Sequence, residues 1–215
     1  MKRDPDSFST RLREDTRRAH TAAETSTFIT ELMDGHLTAH EYVRLIAQYQ
    51  PIYTALEHGA EQLRTDSRIA CFLDPALERI PAINADLAGL LRWAELDELP
   101  RVVPAAHEYA ARISDVAARG DSARFLAHHY LRYLGDLSGG QAIGVRTARH
   151  YGVPQNLLTM WRFDVKPKPY KDAYRDLLDT AGPQLGEDIV IDEAAKGFGY
   201  NQAMFAQLER EPAGV

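Results

Sequence analysis

Arg13, Arg17, His20 and Glu24 fall at i, i+4, i+7 and i+11, which puts two cations, an imidazole and a carboxylate on one helical stripe. Such a stripe suits metal ligation: a neutral imidazole binds the ion while a carboxylate one turn away fixes the ring by its other nitrogen. The two guanidiniums upstream suit an anionic group lying along the same face. Taken alone, the stripe reads as a solvated charged face with an incidental histidine, because most charged stripes are that.

A second segment changes the balance. "HHYLRYLGDLSGGQAIG", His128 to Gly144, keeps apolar helical spacing at Leu131, Leu134, Leu137 and Ile143 yet carries Gly135, Gly139, Gly140 and Gly144. Each glycine costs a helix about 1 kcal/mol relative to alanine, so something needs the missing side chains. A phosphate loop would require a strand followed by a glycine-rich turn ending in Gly-Lys-Ser or Gly-Lys-Thr, and neither is present. The charges of Arg132 and Asp136 exclude a membrane dimer face. Two readings stay open: close packing of a neighbouring element through small residues, and a broad, flat ligand lying against a helix that bends at its glycines. Haem is such a ligand, and it needs an axial donor from the opposite side. With one cysteine and four methionines in the chain, the axial candidates are mostly histidines. His36, His40, His58 and His107 sit on polar faces or near caps, and His128 and His129 lie on the glycine helix itself; His20 differs in standing on the charged stripe of the first helix.

The elements that must position these residues all read as helices. Phe8, Leu12, Ala19 and Ala23 mark a first amphipathic helix with Ser7 or Ser9 as cap, and Ser26 or Thr27 caps a short second one stopped by Gly35. Thr38 to Glu41 has capping-box spacing, and Tyr42, Leu45, Ile46, Tyr49, Ile52, Tyr53 and Leu56 follow at helical intervals, with Pro51 predicting a kink. Asp74-Pro75 opens a helix containing an interior Pro81, and Pro104 to Arg119 forms another closed by Gly120. Asp121 or Ser122 starts the glycine helix, which Gly152-Val153-Pro154 ends. A proline-rich joint, "DVKPKPY", precedes a helix through "KDAYRDLLD", and "DEAAKGFGYNQAMFAQLER" is the last. No Val/Ile/Thr-rich alternation and no repeat appears. The expected fold is all-α, a single domain over residues 1–215.

Composition narrows the partners. A net charge of −6 and a pI near 5.7 argue against nucleic acid or an anionic membrane surface. Cys71, the single cysteine, excludes an intramolecular disulfide and a cysteine-based cluster, and fits a reducing compartment. The charged N-terminal stretch has no apolar signal region, and uncharged runs such as Leu45 to Leu56 stop well short of the roughly 18 residues a spanning helix needs. A soluble cytoplasmic protein is expected.

Together, "RRAHTAAE" at residues 17–24 and "HHYLRYLGDLSGGQ" at 128–141 resemble the proximal and distal helices of the biliverdin-forming haem (heme) oxygenases. The distal motif is long and specific to that family, and lesser echoes, "YTALE", "YKDAYR" and "GFGYNQAMF", extend the likeness over nearly the whole chain. The resemblance implies a helical bundle that sandwiches haem b between an N-terminal proximal helix and a glycine-kinked distal helix. It implies His20 as the iron ligand and Glu24 as the partner that orients it. Gly135 and Gly139 would line the distal face, with Gly140 also against the cofactor, and Asp136 would anchor a distal water network near Tyr53 and Arg132. Arg13, Tyr130, Lys171 and Arg175 match propionate-holding positions, and Phe198 and Asn201 match distal-pocket positions on the last helix. Many relatives carry lysine where Arg13 stands, and "KPKP" blurs the alignment of Lys166 and Lys168. Eukaryotic relatives end in a hydrophobic anchor where this chain ends "LEREPAGV", which implies a soluble bacterial-type enzyme.

The implied reaction uses haem as both substrate and cofactor: O2 and electrons from a ferredoxin or an NAD(P)H-dependent reductase yield biliverdin, CO and Fe2+. The enzyme would act as a monomer, apart from that electron donor. In it, a carboxylate at Asp136 working through water delivers protons without the peroxidase-like cleavage that a direct histidine or arginine would favour. The alternatives are a haem carrier or sensor without turnover, and a thiaminase or di-iron oxidase of similar architecture. Cys71 has no adjacent base and no Glu-x-x-His pair occurs, which weakens the last two.

Overall fold

Phe8, Leu12, Thr16 and Ala23 turn inward from α1 (Phe8–Glu24), and the Arg13–His20–Glu24 stripe runs beside this buried face. In this computed structural model residues 4–211 are described; the first three residues of the charged N-terminal stretch and the last four of "LEREPAGV" lie outside them. Ser7 occupies the cap position of α1, whereas Ser9 tethers the helix sideways, its backbone N–H and hydroxyl donating to the Asp179 carboxylate at 2.7 and 3.1 Å.

The remaining helices are α2 (Thr27–Asp34), α3 (Ala39–Gln62), α4 (Ile80–Trp93), α5 (Pro104–Ala118), α6 (Ser122–Gly135), α7 (Gln141–Tyr151), α8 (Pro167–Leu185) and α9 (Glu187–Arg210). Among the described residues there is no strand, as the periodicity predicts. Gly35 and Gly152, both at positive φ, end α2 and α7 in the left-handed conformation that glycine adopts without strain. Asp121 caps α6 by accepting from the Arg124 N–H at 3.1 Å. Long α9 forms the spine: it packs on α1, α2, α5, α6 and α8, while α3 lies against α5 and α4. Tyr42, Ile46, Ile52, Tyr53, Tyr109 and Phe125 fill the core between them, each at 0% exposure, so the layer beneath the distal helix is solid.

Four details depart from the sequence reading. Thr38 caps α3 without a side-chain bond, so its half of the capping box is not made, and Glu41 pairs with Arg44 at 2.6 Å. Asp74-Pro75 opens only a single 3-10 turn, Pro75–Leu77, with Asp74 accepting from the Ala76 N–H. The helix proper starts at Ile80, and Pro81 falls in its first turn, where a missing N–H leaves no bond unmade, rather than in its interior. Lastly, "KPKP" is the start of α8 rather than a joint before it: Lys166 is the cap and Pro167 the first residue.

Candidate functional site

α6 and α7 are one continuous helix interrupted by a π-helical turn, Asp136–Gly140. A π turn inserts an extra residue and bends the axis, and here it coincides with "DLSGG". Ser138 stabilises it by donating its hydroxyl to the Leu134 carbonyl at 2.6 Å.

The four glycines divide into two pairs, and the division answers the question left open by their spacing. A Cβ added at Gly135 or Gly139 would meet nothing within 4 Å, whereas one at Gly140 would lie 2.6 Å from Trp161 Cε3 and one at Gly144 3.2 Å from Trp161 Cδ1. Close packing therefore accounts for Gly140 and Gly144, while Gly135 and Gly139 keep the room that the ligand reading asks for. Gly140 and Gly144 admit the indole of Trp161, which is fixed from behind by its Nε1–H donating to the Tyr42 hydroxyl at 2.9 Å. Gly135 and Gly139 face open space.

That space is a cavity of about 690 Å³ between α1 and the π turn, closed at one side by α9. Its α1 wall presents Arg13, Arg17, His20 and Glu24, so the stripe faces the cavity. His20 is the one histidine among the lining residues; His128 and His129 are buried elsewhere in the core. Glu24 Oε2 lies 3.3 Å from His20 Nδ1, which leaves Nε2 for a ligand. Phe198 from α9 meets the imidazole edge-on at 5.3 Å between ring centres and sets its orientation from the other side. Gln202 ties α9 to α1 by donating to the Ala19 carbonyl at 3.1 Å.

Across from His20 stands a buried polar cluster. Arg132 spans it: Nε and Nη2 donate to the Tyr53 hydroxyl at 3.2 and 3.0 Å, and Nη1 donates to Asn201 Oδ1 at 3.3 Å. The guanidinium carbon sits 4.4 Å above the centre of the Tyr49 ring, a cation–π contact that helps to hold a charge out of water. Tyr53 in turn donates to Asp136 Oδ2, while Asp136 Oδ1 lies 3.8 Å from Arg132 Nη2. Burial pushes the Asp136 carboxyl above the ordinary carboxylate range, and Arg132 and the Tyr53 hydroxyl pull it partly back. Asp136 is thus a buried carboxyl on the cavity wall, far from the exposed helix-surface aspartate that i, i+4 spacing to Arg132 also allowed.

Of the other expected residues, Tyr130, Gly140, Arg175, Phe198 and Asn201 line the cavity. Tyr53 stands behind Asp136 rather than on the wall, and Lys171 stands behind the π turn, its Nζ donating to Ser138 Oγ at 3.0 Å. Arg13 at the rim currently pairs with Glu14 at 2.6 Å. Sequence reasoning missed Tyr49, Ser138, Trp161 and Phe205, all of which line the cavity. Tyr49 had a signal, one turn before Tyr53 on the same helix; Trp161 had none, because it arrives from a 3-10 turn outside every periodic segment.

A family model described as Heme oxygenase matches residues 6–207. The chain belongs to the haem oxygenase family. It is 31% identical over 208 residues to heme oxygenase 1 of Nostoc sp., covering 94% of this chain and 86% of that one. It is 30% identical over 214 residues to human heme oxygenase 1, covering 95% and 73%. In structure it resembles heme oxygenase-2 of Synechocystis sp., solved in complex with heme and NO, with a TM-score of 0.85 at 27% identity over 95% of this chain and 86% of that one. The chain is accordingly a haem-degrading enzyme that opens haem to biliverdin. The alternatives of a non-catalytic carrier, a thiaminase or a di-iron oxidase give way to that membership.

Haem oxygenases need room for a flat macrocycle, one axial donor and cations for two carboxylates, and the cavity meets each requirement. Its volume falls within the roughly 300–1,000 Å³ usual for ligand sites, Gly135 and Gly139 leave their side of it bare, and Arg13, Arg17 and Arg175 stand along it. No helix among the described residues is long and apolar enough to cross a membrane.

Proposed function

We propose that His20 binds the haem iron through Nε2 and that Glu24 fixes the ring from Nδ1. When bound, haem supplies the metal at which O2 is reduced and the ring that is opened, with CO and Fe2+ as the other products. The chain's own residues do the rest. Arg13, Arg175 and Tyr130 orient the propionates at the cavity rim, and Lys171 joins them by leaving Ser138. Gly135 and Gly139 bring bare backbone up to the distal face, while Phe198 and Asn201 close it from α9.

Asp136 holds the proton. Its Oδ2 is committed to Tyr53, so Oδ1 is the oxygen that addresses water in the cavity. Arg132 acts one step back: it clamps the Tyr53 hydroxyl and Asn201 together, which keeps the carboxylate from swinging and commits the guanidinium donors to protein partners. Proton delivery through water from a fixed carboxylate typically contributes 10²–10⁴-fold.

The observation that carries this reading is the pairing of His20 on one wall with two glycines facing open space on the other. Electrons come from a ferredoxin or an NAD(P)H-dependent reductase, O2 is the co-substrate, and the enzyme works as a cytoplasmic monomer. The test is to titrate the protein with haem, then supply ferredoxin and its reductase in air. A histidine-ligated complex that converts to biliverdin supports the reading; a complex that stays oxidisable and reducible with its ring intact overturns it.

A further inference from the structure

Behind the distal helix, away from the haem cavity, Tyr174 of α8 and His129 of α6 form a buried pair that haem opening does not use. The Tyr174 hydroxyl lies 2.9 Å from His129 Nδ1, and the two side chains are each about 2% exposed. Their rings are nearly parallel, 13° apart. Among the described residues Nδ1 is the one hydrogen-bond partner of that hydroxyl. The phenol therefore donates and the imidazole carries its own hydrogen on Nε2, since the reverse would leave a phenolic proton buried with no acceptor. Burial holds the Tyr174 hydroxyl well above the ordinary phenol range and pulls His129 down to about 3, with Asp74 the nearby charge that favours its protonated form. At neutral pH the pair rests as phenol and neutral imidazole.

Two lines of aromatic rings join this pair to the cavity. Tyr130 lines the cavity, and its ring centre is 6.5 Å from that of Tyr174. Tyr53, bonded to the cavity residue Asp136, is 5.9 Å from Tyr133, which is 4.6 Å from His129. Tyrosine passes single electrons readily only when its proton has somewhere to go, because the oxidised phenol is a strong acid and a bare radical cation is costly in an apolar interior. Among the buried tyrosines on these two lines, Tyr174 is the one whose hydroxyl faces a neutral imidazole.

We propose that Tyr174 and His129 form a proton-coupled redox site that collects stray oxidising equivalents from the cavity. A one-electron oxidant formed there from a hydroperoxide takes an electron from Tyr174 by way of Tyr130 or Tyr53 and Tyr133. The phenolic proton crosses the existing hydrogen bond to His129 Nδ1. The oxidant gains one electron, the pair becomes a neutral phenoxyl beside an imidazolium, and net charge balances. A small thiol or ascorbate returns the electron, and the proton returns with it. The pair's own redox chemistry is independent of ligand, whereas its role as an outlet for the cavity rests on the haem reading.

Azidyl radicals generated by pulse radiolysis test the pair in the haem-free protein. In the wild type a long-lived phenoxyl absorbance is expected; Tyr174→Phe should lose it, and His129→Phe, which keeps a ring in place but removes the acceptor, should cut its yield severalfold. The same yield and lifetime in both variants would overturn the proposal. A measurement on the wild-type chain guards against misfolded variants: with 15N-labelled histidine, electron–nuclear double resonance of the radical should show a coupled nitrogen and an exchangeable proton, and absence of both couplings would also overturn it. In the haem-loaded protein treated with hydrogen peroxide, the radical should carry the same signature; a tyrosyl signal without it would leave the pair redox-active but remove its role as outlet.

Discussion

Tyr53 and Asp136 lie 83 positions apart in the chain, and the buried hydroxyl of the first donates to the carboxylate of the second at the cavity wall. That bond holds the aspartate by Oδ2, and its Oδ1 lies 3.8 Å from Arg132 Nη2. Asp136→Ala should therefore bind haem with a nearly unchanged spectrum, because His20 and the open glycines remain. Biliverdin formation should fall by about 10²-fold or more, as expected for losing a positioned proton relay. Reaction with hydrogen peroxide should give a peroxidase-like species in its place. A wild-type rate of biliverdin formation in the variant would reduce Asp136 to a partner of Arg132.

His20→Ala should remove the proximal bond. Its haem complex should lose the histidine-ligated signal in electron paramagnetic resonance and show a displaced Soret band. Among the described residues no other histidine lines the cavity, so an unchanged signal would have to come from a ligand outside it.

The two pairs of glycines predict opposite effects of the same substitution. Gly140→Ala drives a methyl toward Trp161 Cε3, at 2.6 Å, and should lower unfolding free energy by about 1–3 kcal/mol, as overpacking does. Gly139→Ala meets nothing and should gain up to about 1 kcal/mol from helix propensity, while its methyl intrudes on the haem face and weakens binding or turnover. Thermal melts paired with haem titrations separate the two cases.

Cations at the rim decide how the macrocycle sits, and its orientation decides which edge faces oxygen. Arg175→Ala and Lys171→Ala should each weaken haem binding by about 1–3 kcal/mol if their propionate contacts are partly desolvated, and alter the ratio of biliverdin isomers. Chromatography of the products checks this; identical ratios and affinity would remove both from the site.

Burial of His129 also has a thermodynamic signature. Its pKa falls from 6.5 to about 3 on folding, so between those limits the unfolded chain binds a proton that the native chain refuses. Stability is then lost as pH falls below about 6.5, by about 1.4 kcal/mol per pH unit from this group. Urea midpoints across that range should fall more steeply in wild type than in His129→Phe, and equal slopes would mean that the imidazole is not buried neutral.

The sequence carried the fold class and the site's two walls because both are periodic or local: a stripe at i, i+4, i+7 and i+11, and a run of glycines in one helix. Helix starts were less legible where prolines cluster, since a proline marks a first turn as readily as a joint, and Pro81 and Pro167 proved to be first-turn residues. The separate purposes of the glycines were not legible at all. Gly139 and Gly140 are neighbours of one type, and only Trp161, 21 positions on from Gly140 in the sequence, tells them apart. Lys171 shows the same limit: a motif places it near a carboxylate, but packing has it resting on Ser138.

Trp161 gives the distal wall a dependence that its motif conceals. The π turn is backed from outside by an indole seated on Gly140 and Gly144 and bonded to Tyr42 of a third element. A protein engineer grafting residues 128–144 onto another bundle would transplant a string of glycines without the part that gives them a shape. The portable unit is three segments from separate parts of the chain, and lineages that lengthen or shorten the loop bearing Trp161 would retune the haem pocket without altering a residue that lines its glycine wall.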